Sequence, residues 1–378
     1  MVDAVVKKTG LRLLTIDLLR GVAALAVMLF HALKSGMFVH SGEVQVPTSI
    51  AQIGIYPVSY GFTGVYLFFV ISGFCIHMRW VKNKSQGGAD KALEFVAFWK
   101  RRFRRIYPAY IVALILFIAA QRYLGNINFN GFFAWDLSSH LLMLHNLDAR
   151  TVYSMNGVFW TLAIEEQLYL AYFLLVWIRK RYDWGITIIF TLGARIAWFL
   201  IALVIIRFMR IEVPILESSM ANWFIWTLGA VSVEAAYGII KLPKWCYSTL
   251  LCALILLSTS LIYFYDWTNA GAGIAGKIIM FAIQPLWGLG YFILVNKIVS
   301  LEGEFSNVWA RAVRCLAWVG LFSYSLYLIH ELVFIFIPDV NWSLKGLLAV
   351  IVAWIFYLCL EKPFMNVQRV KTMSETVA

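Results

Sequence analysis

The sequence predicts an all-α, polytopic transmembrane bundle of about ten helices with both termini in the cytoplasm. Three observations predict it. The chain is 62% hydrophobic and 14% charged, against roughly 25% charged for a soluble domain, so a water-soluble fold could not hide its apolar surface. Ten apolar runs are long enough to cross a bilayer, near 13–34, 60–80, 107–124, 160–178, 185–206, 220–240, 246–265, 275–296, 316–337 and 343–361. The basic residues alternate in side: 23 of the 32 lie at the chain ends and in the even-numbered loops, and seven lie opposite. Retention of Lys and Arg in the cytoplasm accounts for the net charge of +12 and removes the need for a nucleic-acid partner.

Segment 1 has no cleavable-signal pattern, because it is too long and holds Asp17 and Arg20. Arg20 and His31 are eleven residues apart. Eleven steps of roughly 100° bring both to one face, about 16 Å apart along the axis. Charge in hydrocarbon costs a few kcal/mol per group, so Asp17, Arg20 and His31 mark either function or a buried arrangement. One reading is an Asp17–Arg20 pair with a packed helix-end histidine. The other is a polar stripe crossing from the inner to the outer half of the membrane.

In segment 2, Gly64, Ser72 and Gly73 read as a close helix approach. The run Trp99 to Pro108, with Arg101, Arg102, Arg104 and Arg105, precedes segment 3. It suits an anchor to anionic lipid, or a phosphate clamp made of guanidinium forks. The outer connection 125–159 is long, holds His140 and His145, and is able to fold over the outer mouth.

Segment 4 opens with Trp160 and carries Glu165, Glu166 and Tyr169, with Glu165 and Tyr169 sharing a face at i,i+4. Segment 9 carries Tyr327, His330 and Glu331 towards its outer end. Three spans thus bring His or Glu to similar depth, which suits a polar pocket with acid–base chemistry. The remaining segments and the five cysteines read as apolar packing, without a C-x-x-C pair. The expected organisation is one domain over 1–378, with spans from about 13 to 361, no internal repeat and no appended soluble domain.

The chain resembles acyltransferase family 3, the membrane O-acyltransferases of bacterial surface glycans and related acceptors. The matching stretches are Ile16 to Ala24 with His31, Gly64 to Phe74, Phe103 to Pro108, Trp160 to Tyr169, and Ser323 to His330, in family order. Ala163 and Leu168 stand where the family more often has Ser and Phe. The resemblance implies a bacterial inner-membrane enzyme taking acyl-CoA, most often acetyl-CoA, from the cytoplasm and acylating a hydroxyl of a carbohydrate or similar acceptor outside. It maps the family's Arg and His onto Arg20 and His31, its arginine cluster onto Arg101, Arg104 and Arg105, and its Trp…Glu motif onto Trp160 and Glu165.

On that basis His31 is the expected general base, and Glu165 its expected support. Arg101, Arg104 and Arg105 are expected to hold the CoA phosphates, and Arg20 to line the route to His31. Asp17, Trp160, Tyr169, Tyr327 and His330 are the expected substrate-binding residues. Acyl-CoA enters as co-substrate, with membrane lipids around the bundle; no tightly bound cofactor and no metal are expected. A covalent acyl-histidine is a less favoured variant. The competing classes are a transporter or flippase with a buried relay, which the missing inverted repeat disfavours, and a glycosyltransferase, which more often shows a larger outward domain.

Overall fold

The computed structural model describes residues 13–34, 56–85, 94–269, 274–305, 307–337 and 340–365. Of the basic residues at the chain ends, Lys7, Lys8, Arg12, Arg369 and Lys371 lie outside the described residues, as do the side chain of Lys34 and Lys91 in the loop before segment 3.

Twelve α-helices are described, and no strand occurs among the described residues: α1 (Leu14–Lys34), α2 (Gly64–Ser85), α3 (Phe95–Tyr123), α4 (Gly131–Leu141), α5 (Trp160–Arg181), α6 (Trp184–Val204), α7 (Ser219–Ala236), α8 (Thr249–Asn269), α9 (Ile274–Val299), α10 (Asn307–Leu321), α11 (Ser323–Phe336) and α12 (Trp342–Phe356). Seven of them (α1, α2, α3, α5, α6, α9, and α12 with its helical continuation to Phe364) are long and apolar enough to cross a membrane. α10 and α11 are long and apolar enough only as a pair, and the pair is bent by 73° at its break, the form of a broken span or a re-entrant hairpin. α7 and α8 occupy the positions expected for spans six and seven.

Two expected spans differ in form. The arginine run is not a loop before segment 3, because α3 starts at Phe95 and carries the arginines in its first turns. Segment 9 is a broken pair, not one straight helix. At the break Ser323 Oγ donates to the Gly320 carbonyl at 3.0 Å, a Gly/Ser arrangement that diverts the helix ladder. Phe322 fills the elbow against Trp318 and Trp354.

Two backbone crossings set the centre of the bundle. A Cβ on Gly320 would fall 1.9 Å from the Asp17 carbonyl oxygen, so α1 and α10 touch main chain to main chain. A Cβ on Gly73 would fall 1.9 Å from the Trp226 carbonyl oxygen, which joins α2 to α7 the same way. The segment-2 glycine thus serves close packing. α7 is buried from Ala221 to Ala236, whereas α6 is largely exposed and lies at the periphery. At the basic end the Glu302 carboxylate accepts from the backbone N–H groups of Leu14 and Thr15, each at 2.9 Å. It caps α1 and satisfies amides that a helix start leaves orphaned.

Candidate active site

Two polar regions share one line through the bundle. The first is a cavity of about 110 Å³. Arg20 of α1, Arg102 and Arg105 of α3, Glu165 and Glu166 of α5, and Tyr324 and Tyr327 of α11 line it. Arg20 donates to the Cys75 thiol at 3.4 Å. The Tyr169 hydroxyl donates to Glu165 at 3.0 Å. The Arg102 guanidinium lies 5.6 Å from the Tyr169 ring centroid, within cation–π range. Glu166 is buried, and neither of its carboxylate oxygens has a hydrogen-bond partner.

Helical periodicity decides which arginines face inward. Arg102 and Arg105 are three apart on the face of α3 that also buries Phe98 and Ala109. Arg101 and Arg104 fall on the other side and are exposed. Of the three arginines expected to hold phosphate, the cavity wall therefore includes Arg105, joined by Arg102.

The second region lies further along the same helices. His31 is eleven residues beyond Arg20 on α1, and Glu331 is seven residues beyond Tyr324 on α11. His31 Nδ1 is hydrogen-bonded to Glu331 Oε1. The Gly157 backbone N–H donates to Glu331 Oε2 at 3.0 Å, so both oxygens of the carboxylate are held. His330 is fully buried. Its ring meets that of His31 edge to face, with centroids 5.1 Å apart. The His330 Nδ1–H donates to the Leu326 carbonyl at 3.0 Å, which leaves Nε2 as a lone pair, and that atom has no partner.

Tyr327 connects the two regions. Its hydroxyl accepts from Thr161 at 2.8 Å, both residues line the cavity, and the Tyr327 ring lies 6.0 Å from that of His330.

The structure brings Arg20, Arg105, Glu165, Tyr169 and Tyr327 to the cavity, and His31 with His330 to the second region. It does not bring His31 and Glu165 together. The carboxylate on His31 is Glu331, because α1 packs its outer half against α11, while Glu165 turns towards Tyr169. Trp160 is partly buried at the start of α5, and Asp17 is buried at the α1–α10 crossing; neither is on the cavity wall. Sequence reasoning missed Glu331 and Arg102. The His330-Glu331 dipeptide and the three-residue spacing of Arg102 and Arg105 were the available signals.

The connection 125–159 closes over this end with a histidine stack. The rings of His140 and His145 lie 4.0 Å apart and 3° from parallel, and both residues are buried. Burial pushes the His145 imidazole down to about 3, with the neighbouring His140 adding to the shift. A depressed histidine is neutral when folded, so the unfolded segment binds the extra proton below its ordinary value near 6.5. The stabilisation is therefore complete above pH 6.5 and falls as pH drops towards 3. Acidification from pH 7 to 5 should cost the segment roughly 2 kcal/mol. Hydrogen exchange of 131–157 should accelerate accordingly, and His145→Phe should remove most of that dependence.

An apolar helix bundle with this many spanning helices, and with His, Glu and Arg buried among them, is that of an integral membrane protein. The family model described as "Acyltransferase domain" matches residues 13–360, and the chain belongs to that family, acyltransferase family 3. A provisionally named O-acetyltransferase of Staphylococcus aureus (strain COL) is 24% identical over 92% of this chain and 56% of its own length. The peptidoglycan O-acetyltransferase OatA of Listeria monocytogenes is 34% identical over 32% of this chain and 20% of its own. Acyltransferase MdmB of Streptomyces mycarofaciens is 29% identical over 43% of this chain and 38% of its own. The chain thus spans little more than half the length of the staphylococcal relative. No solved structure matches it.

Proposed function

We propose that the protein is a membrane O-acyltransferase of the bacterial plasma membrane. It takes an acyl group, in the first instance acetyl, from acyl-CoA entering at the basic end and delivers it to a carbohydrate-type hydroxyl at the opposite face. The observation that carries this reading is the His31–Glu331 pair beyond an arginine-lined cavity. With Nδ1–H held by the Glu331 carboxylate, His31 presents Nε2 as an unprotonated lone pair.

In the proposed step His31 Nε2 takes the proton of the acceptor hydroxyl as its oxygen attacks the thioester carbonyl. The C–S bond breaks, the C–O bond forms, and CoA leaves as the thiolate, which receives the proton from the imidazolium. Glu331 stabilises that imidazolium, in the place foreseen for Glu165. Arg102 and Arg105 hold donor phosphate near the basic end. The pantetheine arm, on the order of 15–20 Å, matches the axial distance of about 16 Å from Arg20 to His31 by helix rise. Glu165 remains in the donor cavity with Tyr169.

The test is release of labelled acetyl from acetyl-CoA by purified protein in the presence of a hydroxyl acceptor. Ester formation supports the reading. A protein that leaves the thioester intact with every sugar and polyol acceptor offered, yet moves solute or lipid across vesicles, is a transporter instead.

A further inference from the structure

We propose that His31, His330 and Glu331 form a binding site for one divalent transition-metal ion of the zinc class, and that its occupation blocks the use of His31 as a base. The binding half stands on the geometry alone; the blocking half rests on the function proposed above.

The three residues each offer a ligand atom, and those atoms lie within 4.8 Å of one another. Two imidazoles and one carboxylate are a zinc-type donor set, whereas magnesium and calcium favour all-oxygen shells. Tetrahedral zinc with bonds near 2.0–2.1 Å has ligand-to-ligand edges of about 3.3 Å. The longest edge must therefore close by no more than about 1.5 Å, which side-chain rotation supplies.

The surrounding hydrogen bonds are those of a ligand set. A metal-binding histidine characteristically donates its other ring N–H to a carbonyl or carboxylate, and a ligating carboxylate is itself hydrogen-bonded. His330 Nδ1–H does so to Leu326, leaving its buried Nε2 without a partner. Glu331 Oε2 is held by the Gly157 amide. The side chains of His31 and Glu331 are 18% and 21% exposed, so an ion has a route in. A water molecule completes the fourth position.

Binding switches the tautomer of His31. The ion takes Nδ1 in place of the proton held against Glu331, and the neutral imidazole carries that proton on Nε2 instead, by exchange through water. The imidazole then carries a dication on one nitrogen and loses its carboxylate partner to the metal. Its other nitrogen, now N–H, has no lone pair with which to accept a proton.

The test uses the detergent-solubilised full chain, stripped with chelator and titrated with Co²⁺. The expected result is one Co²⁺ per chain with the intense visible absorption of four-coordinate cobalt. Affinity should fall at least tenfold in His330→Gln and in Glu331→Gln. In the unaltered protein, Zn²⁺ should protect the partly exposed His31 from diethyl pyrocarbonate, read by peptide mass spectrometry, which needs no variant to fold. No binding up to millimolar Co²⁺, undiminished binding in His330→Gln, or protection only at other histidines would overturn the site. Acetyl transfer that continues unchanged with the site filled would overturn the blocking half. If metal-free protein never transfers acetyl while Co²⁺ still binds, it is the function reading that fails and the site that stands.

Discussion

His31→Gln and Glu331→Gln are each expected to lower kcat for acyl transfer by roughly 10²–10⁴-fold, the range for a positioned acid–base group. The two side chains act as one unit, since His31 Nδ1 is bonded to Glu331. Their losses should therefore not multiply, and the double variant should be little worse than the poorer single one. Gln at 331 keeps the shape and still accepts from Nδ1–H, so a fall in kcat there isolates the charge that supports the imidazolium. Glu165→Gln serves as the contrast. Its carboxylate lies in the cavity on Tyr169, so its effect should appear mainly in KM for the donor. Steady-state kinetics on detergent-purified variants with matched thermal unfolding midpoints would separate these outcomes. A large kcat effect at Glu165 with none at Glu331 would restore the pairing expected from the sequence.

Arg102→Gln and Arg105→Gln should each raise KM for acyl-CoA by roughly 10- to 100-fold. A lost charge-assisted hydrogen bond costs about 1.5–3 kcal/mol, and 1.4 kcal/mol is about a factor of ten. Arg101→Gln and Arg104→Gln should change KM less than about twofold, because both side chains are exposed and exposed charge pairs contribute little. The comparison is internal to four neighbouring positions on one helix, so a general loss of positive charge cannot imitate it. Truncated donors sharpen it: acetyl-pantetheine lacks the nucleotide phosphates and should be indifferent to Arg102 and Arg105.

Much of this arrangement was legible in the sequence because the bilayer makes hydropathy informative. Spans such as 13–34 and 160–178 match α1 and α5 to within a few residues, since an apolar run of that length has few other places to go. The Arg20–His31 register followed from helix geometry alone, and the two residues do lie on one line. The inward choice among the arginines was also available, because Arg102 and Arg105 are three apart, but only once α3 was known to begin at Phe95 instead of near 107. The partner of His31 was not available. Glu165 and Glu331 both sit on spans that approach the outer half, and only the packing of α1 against α11 decides between them. The elbow at Phe322 was hidden for a similar reason. It depends on Gly320 meeting the Asp17 backbone across 303 residues of sequence, and hydropathy averages over such a break.

Transfer across the membrane is read in vesicles of known protein orientation, with labelled acetyl-CoA supplied to one face only. Labelled ester is expected on an acceptor confined to the face opposite the arginine cavity, produced only when acetyl-CoA meets the basic end, and absent in His31→Gln. Ester formed with donor and acceptor on the same face, or persisting at near-normal rate in His31→Gln, would contradict this.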